Sequence, residues 1–257
     1  PLGGTGLESS ALGLGTVKLG RDQRVKYPRG FTIPDDRSAA ALLSQARDLG
    51  INLIDTAPAY GNSEQRLGKL LRGQRDAWLI CSKVGEEFDN GSSHFDFSPQ
   101  HTRHSVQRSL QRLGTDRIDI VLVHSDGNDL AIIEETGTLE TLADLKSQGL
   151  IRAYGISTKT VDGGLAAARA CDEVMLTYNL AHREERPVLD ACQQLGKGAL
   201  IKKALASGPL AADQEDPVQA SMDLVFDHPA TSAAIIGTIT PAHLEANVLA
   251  ARRAVER

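Results

Sequence analysis

Short β-branched runs alternate with longer amphipathic stretches along the whole chain, and no low-complexity linker interrupts the rhythm. The runs are LGLGTVKL, INLID, WLICSKV, RIDIVLVH, IRAYGIS, EVMLTY, GALIKK and SAAIIGT. After the first, Asp35 or Asp36 can cap a helix through Leu49, where Ala39, Leu42, Leu43 and Ala46 recur at three and four residues before Gly50 stops it. EQRLGKLLR brings Leu67, Leu70 and Leu71 to one face. SPQHTRHSVQRSLQRLG offers Ser98 as N-cap, Pro99 at the first helical position, a stripe of Val106, Leu110 and Leu113, and Gly114 as the stop. Further helices are expected over 139–148, 161–170, 185–195, 218–226 and from 241 to the end.

Strands this apolar, each followed by a helix, imply a parallel sheet covered by helices. Eight such units in about 250 residues is the size of a closed (β/α)8 barrel, a TIM barrel of one domain over residues 1–257. An open doubly wound sheet is the alternative, because counting units does not prove closure. In a barrel the chemistry gathers at the C-terminal ends of the strands. Polar residues stand at those ends here: Lys18, Asp55, Lys83, His124, Ser157, Lys202 and Lys203.

Composition narrows the partners. With 28 basic against 33 acidic residues and a net charge of -5, the chain has no electrostatic footprint for nucleic acid or an anionic membrane. No apolar run reaches the ~18 to 20 residues of a membrane span. The opening PLGGTGLESS has neither a basic nor an apolar leader region, although Pro1 implies a missing initiator Met or more. Cys81, Cys171 and Cys192 are far apart, without metal-ligand spacing, and read as reduced thiols of a cytoplasmic protein. The expected partner is a small molecule.

Asp55 ends INLI and opens DTAPAYGNSE, in which Pro58 and Gly61 delay the next helix. Taken singly, Asp55 reads equally as a loop cap, Tyr60 as a packing aromatic, Lys83 as a solvated strand end and His124 as a core histidine. Together on three adjacent strand ends they read as an active site. An ammonium stabilises a phenolate, so Lys83 can make Tyr60 a better proton donor. Asp55 can keep Lys83 charged. His124 can then donate a hydrogen bond to a substrate oxygen. A proton donor with an oxyanion clamp suits carbonyl reduction, and the hydride has to come from a nicotinamide.

PLGGTGL, LGLGT, NLIDTAPAYGNSE, Lys83 closing WLICSK and His124 closing DIVLVH resemble the aldo-keto reductase superfamily in order and spacing, over nearly the whole chain. The resemblance implies NADPH-dependent reduction of aldehydes or ketones by direct hydride transfer, with NADH possible and no metal. It assigns Tyr60 as general acid, with Asp55, Lys83 and His124 as its companions. A monomer is the family default. The resemblance also implies a cofactor site that includes Gly15, Thr16 and Val17 after the first strand, together with Asp55. Ser157 would hold the carboxamide, with Thr158 and Met175 where relatives carry Asn and Gln. Lys202 stands where many relatives stack an aromatic. Leu205, Ser207, Gly208 and Leu210 would fold over the pyrophosphate, and Gly237, Thr238, His243 and Asn247 would grip the adenosine phosphate.

Substrate contacts are expected from Lys18, Tyr27, Phe88 and Ser125, the last standing where relatives often have Trp. An open, polar mouth suits small aldehydes, dicarbonyls or sugar-like aldehydes. Two other readings stay open: an NADPH-binding regulatory or redox-sensing subunit with little turnover, and a Schiff-base enzyme using Lys83 or Lys202.

Overall fold

The structure is a computed structural model that describes residues 1–25, 30–206 and 215–257. Eight parallel strands close into a barrel: β1 (Leu12–Gly15), β2 (Leu53–Asp55), β3 (Leu79–Val84), β4 (Ile118–His124), β5 (Ile151–Ser157), β6 (Glu173–Thr177), β7 (Gly198–Lys202) and β8 (Thr231–Ile236). Each pairs with the next in the chain, and β8 returns to β1 with Leu12 opposite Ala234. The sheet is closed, not open. Outside it lie α1 (Asp36–Asp48), α2 (Ser63–Leu70), α3 (Pro99–Leu113), α4 (Thr138–Ser147), α5 (Val161–Ala170), α6 (Arg186–Leu195), α7 (Pro217–Phe226) and α8 (Pro241–Val255). Their caps follow the sequence: Asp35 accepts from Ser38 N, and Ser98 accepts from His101 N.

The two-residue period of a strand sorts its side chains to opposite faces. Leu53, Cys81, Ile120, Leu122, Met175, Leu200 and Ala233 fill the interior, and Leu2 and Leu7 of the preceding segment join them. Their neighbours Ile54, Ile80, Val121, Val123, Val174 and Ile201 pack outward against the helices. Both faces are dry, which is why these runs read as continuous apolar segments. The three cysteines are free and buried, and burial pushes the Cys171 and Cys192 thiols up to about 12. Among the described residues, no helix is long and apolar enough to cross a membrane.

Three elements differ from the expectation. The first run ends as a strand at Gly15, and Val17–Gly20 forms one helical turn that carries Lys18. Asp129–Glu135 is an extra short helix that buries only Asp129 and Ile132. Between β3 and α3 the chain makes a hairpin of Glu86–Asp89 and Ser92–Phe95. The second of these strands is exposed throughout, so it carries no alternation to read.

Candidate active site

The barrel sets the site by ending its strands at one rim. Asp55, His124, Ser157 and Lys202 are the last residues of β2, β4, β5 and β7, and Lys83 is the last but one of β3. Lys83 Nζ donates to Asp55 Oδ1 and to Thr56 O at 3.1 Å, with both side chains of the ion pair buried. Burial by itself favours a neutral amine, but the charge of Asp55, with smaller help from Cys81 and Tyr60, outweighs it and raises the Lys83 pKa. The lysine is a fixed cation.

Tyr60 sits in the turn that follows, with its N–H bonded to Ala57 O at 3.0 Å. Gly61 is what lets this turn approach the helical turn after β1. Its φ is +61°, and a Cβ there would lie 2.1 Å from Gly20 O. Ser63 Oγ donates to Thr16 Oγ1 at 2.9 Å, and Thr16 Oγ1 to Asp55 O at 2.9 Å, tying the two loops together. Tyr60 then meets His124 edge to face, with ring centroids 6.3 Å apart and planes at 87°.

A carboxylate that sequence reasoning missed stands behind His124. Glu86, on the hairpin, brings Oε2 to 2.7 Å from His124 Nδ1, and its Oε1 accepts from Ser93 Oγ at 2.6 Å. Burial would raise the Glu86 pKa; the hydrogen-bonding and charge of His124, the Ser93 hydroxyl and Arg21 reverse this and hold it down at about 2. Across the mouth, Lys202 Nζ donates to Ser157 Oγ at 2.9 Å and to Thr158 O at 2.5 Å. Burial lowers the Lys202 pKa to about 8, with Glu185 acting against the shift.

These groups face one cavity of about 1010 Å³. Its lining includes Gly15, Thr16, Val17, Lys18, Asp55, Tyr60, Lys83 and His124, and also Ser157, Met175, Lys202, Leu205, Gly237, Thr238, His243 and Asn247. Three expected contacts are not among the residues that line it. Thr158 lies in the wall, its N–H bonded to Met175 O at 3.0 Å and its hydroxyl facing the same oxygen. Ser125 is fully buried, and its Oγ accepts from Gly127 N at 2.9 Å to close a turn. Phe88 stacks under the Arg21 guanidinium, 3.3 Å from the ring centroid, so Arg21 and not Phe88 reaches the cavity. Tyr27, Ser207, Gly208 and Leu210 lie outside the described residues.

Sequence reasoning also passed over Arg21 and Arg24 on the cavity wall, for which the basic spacing of KLGRDQR was the available signal, and Lys203, read only as a strand-end residue, joins them there. The described lining carries the cations Lys18, Arg21, Arg24, Lys83, Lys202 and Lys203 against the single carboxylate of Asp55. Such a wall suits an elongated anion. α8 begins beside the lining residues Gly237, Thr238 and His243, and its N-cap Thr240 makes no side-chain cap, so N–H groups and the helix dipole are available to an anion there. The residues therefore fit a nicotinamide dinucleotide in size and charge. Among the described residues, no group of three or more His, Cys, Asp or Glu is placed to hold a metal ion.

Comparison with known proteins agrees with this fold. Residues 11–224 match the description "Aldo/keto reductase family". A crystal structure of a Pseudomonas aeruginosa protein assigned to the aldo-keto reductases superposes with a TM-score of 0.92 at 62% identity, covering 99% of this chain and 94% of that one. The NADH-specific methylglyoxal reductase of Escherichia coli is 34% identical over 226 residues, which are 82% of this chain and 68% of its own length. The uncharacterized oxidoreductase YqkF of Bacillus subtilis is 30% identical over 220 residues, 81% of this chain and 67% of its own. The chain belongs to the aldo/keto reductase family and is an NAD(P)H-dependent oxidoreductase.

Proposed function

We propose that this single-domain barrel, residues 1–257, reduces small aldehydes or ketones to alcohols as a monomer, with NADPH as the preferred donor and NADH as the second choice. The observation that carries the reading is the convergence of Tyr60, the buried Lys83–Asp55 pair and His124 on one cationic cavity at the strand ends.

When bound, the nicotinamide supplies the hydride. The side chains manage the charge that hydride arrival leaves on the carbonyl oxygen. Tyr60 hands its phenolic proton to that oxygen, and the Lys83 ammonium stabilises the phenolate left behind. Asp55 keeps Lys83 charged and fixed between two acceptors. His124 contacts the same oxygen from the other side. Gly15, Thr16 and Val17 flank the reacting end, and Ser157 with Lys202 serves the carboxamide in place of Thr158. Gly237, Thr238, His243 and Asn247, beside the open α8 N-terminus, serve the phosphate end, where His243 supplies positive charge only when protonated.

Small polar carbonyl compounds, dicarbonyls and sugar-like aldehydes are the proposed substrates, because Lys18, Arg21 and Arg24 line the mouth. Methylglyoxal, which the Escherichia coli relative reduces by its name, is of this kind. The complete set of four groups favours turnover over a purely regulatory role. Fluorescence titration with NADPH and NADH, then an aldehyde screen following loss of cofactor absorbance, tests the proposal. Tyr60→Phe should bind NADPH normally and lose about 100-fold or more in kcat, the usual scale of a positioned acid. Full turnover by that variant would remove Tyr60 from the acid role.

A further inference from the structure

The hairpin supplies His124 with a partner that the proposed reaction does not require. Glu86 Oε2 is 2.7 Å from His124 Nδ1, the Glu86 side chain is only 13% exposed, and Ser93 Oγ holds the other carboxylate oxygen at 2.6 Å. The contact is close but lies off the Nδ1–H direction. Glu86 is ionised at any working pH and offers only lone pairs. Beside an ionised carboxylate at this distance a bare Nδ1, which carries partial negative charge, is repelled, whereas an Nδ1–H is attracted even off its axis. The ring proton therefore belongs on Nδ1.

This has a chemical consequence. A neutral imidazole carries one N–H, so with the proton on Nδ1 the Nε2 atom is an acceptor. Only the imidazolium has a donor at both nitrogens. We propose that Glu86 is a positioning residue that fixes His124 as the Nδ1–H tautomer, so that His124 donates to a carbonyl oxygen only when its ring is protonated and, when neutral, accepts from a hydroxyl ligand instead. The site thereby favours carbonyl ligands at lower pH and alcohol ligands at higher pH. The ligand half of the proposal rests on His124 touching the reacting oxygen, as in the proposed function. Among the described residues, Tyr60 meets the ring, and Asp55 from the β2 end, Lys83 from β3, Lys18 and Arg24 after β1, Lys203 after β7 and His243 from α8 share its cavity. Arg21 lies against Glu86, and Lys202 comes from β7 on the same cavity.

The first test needs neither cofactor nor substrate. Nitrogen NMR of histidine-labelled protein, with His124 assigned by its loss in His124→Asn, should show the neutral ring protonated on Nδ1. In Glu86→Gln, whose amide can accept or donate, the Nε2–H tautomer should appear. A wild-type neutral ring protonated on Nε2 would overturn the proposal. The second arm reads KM for an aldehyde from pH 5.5 to 9. In the wild type it should rise roughly tenfold or more from the low to the high end of this range, the scale of one charge-assisted hydrogen bond, and in Glu86→Gln it should flatten. An Nδ1–H ring with a flat wild-type KM would overturn the ligand half and the contact of His124 with the reacting oxygen, while the tautomer assignment would stand.

Discussion

Glu173 is a carboxylic acid enclosed by the barrel, and its titration should be readable in the stability of the whole protein. It opens β6 with no exposed surface, and neither carboxyl oxygen has a hydrogen-bond partner among the described residues. Its neighbour in register on β7 is Gly198, where a Cβ would lie 2.0 Å from Glu173 Oε2, so the glycine makes the room for the side chain. Burial, and then the charge of Asp172, raises the pKa from 4.5 to about 8, against the opposing pull of Lys197 and the N-terminal amine. The folded protein then holds a proton that the unfolded chain releases near pH 4.5. Stability is fully present below that value and falls as pH rises, until the folded state ionises near 8. At about 1.4 kcal/mol per pH unit, with the levelling near pH 8 included, the loss between pH 6 and 9 is about 2 to 3 kcal/mol. Glu173→Gln removes the titration and keeps the shape. Its amide leaves one more N–H unpaired, at a cost of about 1 to 3 kcal/mol at every pH. The reading is therefore the change with pH: the stability of Glu173→Gln relative to wild type should improve by about 2 to 3 kcal/mol from pH 6 to pH 9. Urea unfolding, followed through the buried and only tryptophan, Trp78, measures it. A difference that stays level across this window would refute the reasoning.

Two further outcomes concern the cofactor. His243→Arg places a permanent charge beside the open α8 N-terminus, so the KM for NADPH should fall while that for NADH changes little; no change would remove His243 from the phosphate end. Lys202 is charged below a pKa of about 8 and loses its charge as pH rises through that value, so NADPH affinity should weaken between pH 7 and 9. Lys202→Met should weaken NADPH binding about tenfold at pH 7, as expected for one lost charge-assisted hydrogen bond, and flatten that pH profile; an unchanged dissociation constant would place Lys202 outside the cofactor contacts.

What the sequence made legible follows from which forces leave a periodic mark. The barrel strands were visible because each is dry on both faces, and the strand-end residues were visible because polarity begins abruptly where burial stops. Asp55, Lys83 and His124 could thus be named and ordered. The hairpin left no such mark, since Ser92–Phe95 is exposed, and Glu86 and the Arg21–Phe88 stack went unseen with it. The Lys202–Ser157 bond was equally hidden, for it joins residues 45 apart across the barrel mouth. Thr158 and Ser125, singled out by the family resemblance, have local partners that the sequence does not show: the Thr158 N–H bonds to the backbone of β6, and the Ser125 hydroxyl closes a turn.

The same contrast separates the two halves of the site. Lys83 and Asp55 belong to the barrel proper, and each is locked by groups the fold must bury anyway, so their pairing follows from closure of the sheet. Glu86 and Arg21 approach from segments that the barrel does not need, and they meet at His124 and at the Phe88 ring. Changes in the hairpin can then alter the protonation and hydrogen bonding of His124 while leaving the Tyr60, Lys83 and Asp55 group intact. On the proposed roles, a barrel that anchors Tyr60, Lys83 and Asp55 and leaves its histidine to a surface hairpin can vary which ligands it holds without rebuilding the rest of the site.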